Sequence, residues 1–400
     1  RNSKFETRVT SHEPRATPHA PRPAHSALST QHSAPSTFLT VIIAFLVSFS
    51  FALPVAAAEE DVLVEKNLFS PERKKWIMED PKEKKPEAEK VKKEIADITL
   101  FGTVIAGEER YAEEALAQTE HWLAANPCRR GINWASSLEV AFRAWSWLWL
   151  LHLLAGSRAL TGERMARLLA ALAQHAEFIA ENPSTYFSPN THLLGEGFAL
   201  FCAGLLLPEL RGAAQWRDTG RAILAEQMQR QVRADGSHLE QSSYYHRYAF
   251  DFFLAAAALA ERNACGFAPD YRARLERMAE VILHTMLPSG RHPMTGDADG
   301  GRLLPFGPRL PDDQRGALST AAAFFARADF RWAAGRLHEE TLWLLGPQAA
   351  RGYEGLQAEP PRELSRAFPA AGLAVMRSGW NPKAHVLLFD AGPQGMGACA

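Results

Sequence analysis

Residues 134–155 read WASSLEVAFRAWSWLWLLHLLA. The stretch is rich in Ala, Leu and Trp, and its apolar positions recur with helical periodicity. Similar stretches follow along the chain. They predict helices over about 112–125, 134–155, 162–180, 191–206, 212–232, 239–262, 268–286, 312–327 and 338–345. Loops such as Glu181-Asn182-Pro183-Ser184 and Pro288-Ser289-Gly290 divide them. No fixed sequence repeat is visible. Regular alternation of helix and loop predicts a mainly α fold, an all-α bundle or toroid.

Beyond residue 370 the pattern changes. Gly372–Arg377 and His385–Asp390 are strand-like and flank a turn at Ser378–Lys383. This reads as the first hairpin of a β domain. Two strands do not make a stable sheet alone, so either the hairpin packs on the helices or the chain stops short of the rest of that domain.

The N-terminal part has a different character. Residues 1–36 are rich in Ser, Thr, Pro, His and Arg without apolar period, and are expected to be disordered. Residues 37–58 hold an apolar run from Phe38 to Val55 followed by Ala56-Ala57-Ala58. This pattern is that of an export signal with its cleavage site, which predicts a periplasmic or secreted location. If uncleaved, the run is near the lower length limit of a membrane anchor, and it is the only expected membrane contact. Residues 59–110 form a charged linker with a short strand at 98–106. Lys66–Pro71 together with that strand resembles the periplasmic region of a type II secretion inner-membrane component, so a foreign fusion joined near residue 110 is one reading.

Composition narrows the function. The chain holds 44 basic and 45 acidic residues, a formal net charge of -1. Nothing in that balance points to a nucleic-acid partner, which usually needs a basic surface, and an acidic polymer would have to be neutralised by local groups in a cleft. Cys128, Cys202, Cys265 and Cys399 form no CxxC pair, so no zinc site is expected. Cys202, within Phe201-Cys202-Ala203-Gly204, reads as a buried apolar thiol. No metal and no cofactor is predicted.

Four polar islands interrupt the apolar helices. The first contains Asn126-Pro127, Gly131-Ile132-Asn133-Trp134, Glu139 and Arg143. Trp134 either stacks on a sugar ring or packs in the core. Arg143 either pairs with Glu139 one helical turn away or faces a cleft and meets a substrate carboxylate. The second is Ser188–Glu196. Asn190 suits a helix cap, and the free N–H groups of a helix N-terminus favour an anion such as a uronate carboxylate. His192 lies in the first turn, with a hydrogen bond to Glu196 as its structural alternative. The third, Asp235–Tyr248, reads DGSHLEQSSYYHRY. Its polar and aromatic density is costly in a core, which points to a cleft-lining helix with Glu240, Ser243 or Tyr244, and Arg247 on one face. The fourth, Gly290–Arg302, carries Asp297 and Asp299 but lacks the later Glu of an EF-hand. It reads as a rigid loop at the cleft rim.

Taken in order, GINWASSLEVAFRAW, NTHLLGEG, DGSHLEQSSYYHRY, GRHPMTGDADGGR and GLAVMRSGW…FDAGP resemble the heparinase II/III family over roughly residues 111–400. The resemblance implies an incomplete (α/α) toroid at 111–350. A linker and the start of an antiparallel β-sandwich follow at 351–400. It also implies cleavage of an acidic, uronate-containing polysaccharide by β-elimination. In that chemistry a group neutralises the uronate carboxylate, a base removes the C5 proton and an acid protonates the leaving oxygen. Asn190 matches the neutralising position, His192 a neutraliser or base, and Tyr245 the base or acid, with Tyr244 as second choice. Trp134, Arg143, Glu240, Tyr244, His246 and Arg247 are the implied substrate-binding residues.

Two departures stand out. Thr191 separates Asn190 from His192, where some members have the two adjacent. Members also continue after FDAGP into a His-rich segment of the sandwich, so the chain reads as an enzyme short of part of its second half. Two other readings remain open. One is a glycoside hydrolase using Glu196, Glu240, Asp297 or Asp299. The other is a polysaccharide-binding or assembly protein without turnover.

Overall fold

A computed structural model describes residues 109–186, 188–303, 310–393 and 395. The expected disordered, signal-like and strand segments before residue 109 lie outside these residues. The described part is mainly α. Its helices are α1 (Glu109–Ala125), α2 (Ser137–Leu153), α3 (Gly162–Glu181), α4 (Thr191–Leu206), α5 (Ala213–Gln231), α6 (Ser243–Arg262), α7 (Pro269–Thr285), α8 (Arg315–Phe325), α9 (Ala328–Ala334) and α10 (Glu339–Gly355). A three-stranded antiparallel sheet follows, β1 (Ser365–Phe368), β2 (Leu373–Arg377) and β3 (Val386–Asp390), in that spatial order.

The core is built around α4, which packs against α2, α5 and α6. It is apolar on nearly every side and buried from Thr191 to Gly204 except at His192. Small residues set how closely α5 approaches. A Cβ at Gly220 on α5 would lie 2.9 Å from the Phe201 Cα and against the Gly197 carbonyl of α4, and a Cβ at Gly204 would press on the backbone of Ala213 and Arg217. These contacts are backbone, which cannot swing aside. Gly220→Ala is therefore expected to force the helices apart and cost about 1–3 kcal/mol, seen as a lower thermal midpoint. An unchanged midpoint would show that the crossing is loosely packed.

Several element boundaries differ from the sequence reading, each for a local reason. Trp134 sits in a short 3-10 turn, and α2 begins only after Ser136, whose hydroxyl accepts the Glu139 N–H. The helix expected from 239 begins at Ser243, because Ser242 caps it by accepting the N–H groups of Tyr244 and Tyr245. Glu240 therefore lies in the preceding turn and shares no helical face with Tyr244 or Arg247. The helix expected over 312–327 ends when Ala326 turns left-handed (φ 57), and α9 follows unforeseen. α10 runs past 345 across a kink at Gly346 (φ 81) and Pro347, where the proline lacks an N–H and its ring opposes a regular helix. Strand β1 was also unforeseen. It pairs with β2, Arg366 opposite Val375.

The sheet is fastened to the helical body. Its inner side buries Phe368 and Val375 against Val281 of α7. The Asp235 carboxylate accepts the N–H groups of Ala370 at 2.7 Å and Ala371 at 3.1 Å. The Gln241 amide donates to the Ala371 carbonyl at 2.9 Å, and Arg377 donates to the carbonyls of His284 and Met286 at 2.8 and 2.6 Å. Met376, Leu387 and Phe389 are exposed on the outer face.

Candidate functional site

The N-terminus of α4 is the starting point. Asn190 caps it, its side-chain oxygen accepting the His192 N–H at 3.1 Å. Glu240 accepts the next free donor, Thr191 N–H, at 3.1 Å. The Asn190 carbonyl is held from behind by the Gln231 amide at 2.8 Å, and Gln231 in turn bonds Gln227 at 2.9 Å and the His238 ring at 2.9 Å. Gln227, Gln231 and His238 were not singled out from the sequence. A buried glutamine at the last position of a helix looks like any other polar position until its partner, some 41 residues away in sequence, is known.

The second wall is the start of α6. Besides capping that helix, the Ser242 hydroxyl donates to the Asp297 carbonyl at 2.6 Å, and the Ser243 N–H donates to the Thr295 carbonyl at 3.0 Å. These bonds pin the 293–301 loop beside the first turn of α6. Tyr245 reaches across and donates its hydroxyl to Asp299 at 3.2 Å.

Between these walls lies a groove of about 630 Å³ lined by Asn190, His192, Glu240, Tyr245, Asp297 and Asp299, with Tyr248 among its other walls and Asp390–Pro393 of the sheet on one side. Its charge is notable. Glu240, Asp297, Asp299 and Asp390 line it, and no Lys or Arg does among the described residues. Burial raises the Glu240 carboxyl above its usual range. Burial also lowers the His192 imidazole, opposed by Asp299 and Glu139, which favours the neutral ring. Burial and the neighbouring Asp299 push the Tyr245 phenol up to about 12, which favours its protonated form.

Other expected site residues lie elsewhere. Trp134 is buried against His175 and Phe178. Arg143 is not paired with Glu139 and does not line the groove. Its guanidinium sits over Trp122 and Trp134, donates to the Asn133 carbonyl and donates from Nε to the His175 ring at 3.3 Å. Tyr244 is buried with its hydroxyl donating to the Gly301 carbonyl. Buried His246 is bonded from Nε2 to the Met278 carbonyl of α7 at 3.0 Å. Arg247 is held by Asp251 at 2.9 Å and Glu340 at 3.4 Å. None of these side chains lines the groove. Glu196 is also out of reach: it is fully buried and accepts the Ser184 N–H and hydroxyl, not His192. Among the described residues no cluster of three or more His, Cys, Asp or Glu is placed to hold a metal ion. No helix there is long and apolar enough to cross a membrane.

Comparison with known proteins agrees with this architecture. A heparin-sulfate lyase of Pedobacter heparinus is 28% identical over 301 residues, covering 72% of this chain and 40% of the relative. One from Bacteroides thetaiotaomicron is 27% identical over 291 residues, covering 72% and 39%. The chain thus spans about 40% of the length of these relatives. The solved structure of heparan sulfate lyase HepC from Pedobacter heparinus superposes with a TM-score of 0.53 at 26% identity, over 74% of this chain and 43% of that one. A crystal structure of heparinase III superposes with a TM-score of 0.55 at 24% identity, covering 73% and 43%, a likeness of fold. The helical body is accordingly an incomplete (α/α) toroid. Residues 102–302 match the family described as Heparinase II/III N-terminus, and with a groove built from the starts of α4 and α6 in this toroid, the chain belongs to the heparinase II/III family.

Proposed function

We propose that the groove binds a uronate residue of a heparan-sulfate-like polysaccharide and carries part of the machinery for its β-eliminative cleavage. The observation that carries this reading is the convergence of Asn190, His192 and Tyr245, from two separate helix starts, on one groove. The relatives' names supply the polymer class.

The chemistry follows from the groups present. The Asn190 oxygen is used by its cap, so its NH₂ end is the one left to donate to a uronate carboxylate. That donation, with the α4 dipole, stabilises the enolate-like charge that develops when C5 loses its proton. A neutral His192 can accept that proton. A protonated Tyr245 can give its own to the departing O4 as the C4–O bond breaks and the C4=C5 double bond forms. One group is pushed toward its basic form and the other toward its acid form, the separation a proton-transfer pair needs. The hydrolase reading loses Glu196 to burial, and its other carboxylates line the same groove.

The test is incubation of heparan sulfate with this chain, and with the same chain continued by the C-terminal β portion of the Pedobacter heparinus relative. Near-ultraviolet absorbance of the unsaturated uronate is the readout. A rise with new reducing ends is expected. New reducing ends without absorbance would replace elimination by hydrolysis, and binding without either would make the groove a recognition site. We also propose export of the chain, on the strength of the apolar run and small residues at 38–58.

A further inference from the structure

To meet a carboxylate, Asn190 must keep its NH₂ end turned to the groove. The segment that follows α5 fixes that orientation from behind. α5 ends at Gln231, and the chain reverses at once through a turn at Gly236 (φ 90). The Leu239 N–H on the Gln231 carbonyl at 2.8 Å and the Arg233 N–H on the Ser237 carbonyl at 2.9 Å hold the reversal. It brings His238 against Gln231, and both are buried.

The polarity of this cluster follows atom by atom. The Asn190 carbonyl is an acceptor only. It takes the Leu194 N–H at 3.1 Å and the Gln231 amide at 2.8 Å. The Gln231 NH₂ group therefore faces Asn190, and its second hydrogen goes to the Gln227 oxygen at 2.9 Å. The Gln231 oxygen is left for the His238 Nε2 at 2.9 Å, so that nitrogen carries the proton. Nδ1 is then a bare acceptor, and it is the atom that faces the Glu240 N–H, at 3.5 Å. Burial pushes the His238 imidazole down to about 3, in keeping with this neutral form. Glu240 closes the circuit, because its carboxylate accepts the N–H of Thr191, the residue after Asn190, at 3.1 Å.

A ring thus runs from Asn190 through Gln231, His238 and Glu240 back to Thr191, with both Gln231 amide hydrogens and its oxygen in use. Apolar side chains of the same shape would fill this space about as stably. A fully satisfied buried polar network adds rigidity and one fixed arrangement. Here the arrangement fixes the Asn190 peptide while the Asn190 side-chain oxygen stays on the His192 N–H. Resting on the reading of the groove as a uronate site, we propose that Gln231 and His238 are positioning residues, which hold Asn190 so that its NH₂ meets the carboxylate. Neither lines the groove, so both act through Asn190 and not on the sugar.

The experiment is calorimetric titration of the full chain with two tetrasaccharides. One alternates glucuronate with N-acetylglucosamine; in the other each glucuronate carboxylate is reduced to the alcohol. Every protein carries Tyr245→Phe, so that binding is read without cleavage. The reference protein is expected to bind the carboxylate form about tenfold more tightly. Gln231→Met keeps the length of the side chain and removes its hydrogen bonds, and should lower that preference about fivefold. His238→Phe should do the same from the other end of the ring. It has room beside a cavity of about 140 Å³, and it carries the test where Gln231→Met does not fold. His238→Gln, whose amide N–H replaces the Nε2 proton, should stay within about twofold of the reference. Added to Asn190→Ala, Gln231→Met should change the preference no further. A purely structural role would weaken both sugars alike and leave the preference untouched. A preference kept by both Gln231→Met and His238→Phe would overturn the positioning role and leave the uronate reading of the groove standing. A reference protein that binds both sugars equally, or neither, would overturn the uronate reading and the positioning role with it.

Discussion

Tyr245→Phe leaves the fold intact and lowers eliminative turnover by about 100- to 10,000-fold, the usual range for a positioned proton donor. The substitution removes one oxygen. That oxygen's partner is Asp299, at the solvent-accessible groove rim, so the structural cost is a single hydrogen bond, about 0.5–1.5 kcal/mol. The ring keeps its packing beside Tyr244 and Tyr248. The loss should therefore fall on kcat, with KM within a few-fold, because the phenol does its work only as O4 departs. The measurement is steady-state absorbance kinetics on the form of the chain that turns over, with circular dichroism as the folding control. Unchanged turnover would remove Tyr245 from the chemistry and shift attention to His192. A loss confined to KM would make the tyrosine a binding group.

The second large effect is acid unfolding, with a midpoint between about pH 3 and pH 5. Burial lowers His175 and His238 to about 3, and His246, His284 and His292 to about 4, each from 6.5. All five are buried. Their folded-state pKa lies below the unfolded one, so the unfolded chain takes up protons first. Stability is full above pH 6.5 and is lost as pH falls toward the folded values. Two carboxyls act in the opposite sense: burial raises Glu196 to about 7, and it raises Asp251 to about 6 against the pull of Arg247. These two are protonated in the folded chain before they are in the unfolded one. Counting only these largest shifts, five groups against two leave a net uptake of about three protons on unfolding. At about 1.4 kcal/mol per proton and pH unit, that is about 4 kcal/mol for each unit below 6.5. A domain of this kind has about 5–15 kcal/mol in total. Tryptophan fluorescence and circular dichroism against pH give the midpoint. A signal flat down to pH 3 would mean that these rings take up protons without unfolding.

The helical body was legible in the sequence because its cause is local. Thr191–Leu206 is an apolar run behind an Asn cap, and the expected span and the observed one coincide. The two groove walls were legible for the same reason: Asn190 and Tyr245 sit at helix starts, which short polar motifs announce. What was not legible depends on long-range pairing. Spacing put Arg143 and Glu139 on one face, but nothing nearby says that His175, 32 residues on, takes the guanidinium. Glu240 was assigned to a helix because its neighbours are helical, whereas Ser242 won the cap. The ring through Gln231 and His238 needs α4 and the turn after α5 in place before Gln231 means anything. Strand β1 was missed because four residues, Ser365–Phe368, are too few to show an alternation.

The outer face of the sheet gives the molecule a colloidal character of its own. Met376 and Leu387 oppose each other across β2 and β3, and Phe389 extends the same apolar stripe. Among the described residues β3 pairs only with β2. With a formal net charge of -1, the chain has almost no long-range repulsion to keep two such faces apart. Contact between two copies at this face is then a meeting of apolar stripes. Mild non-ionic detergent, more than salt, is expected to change the dispersity of this chain, and light scattering reads it.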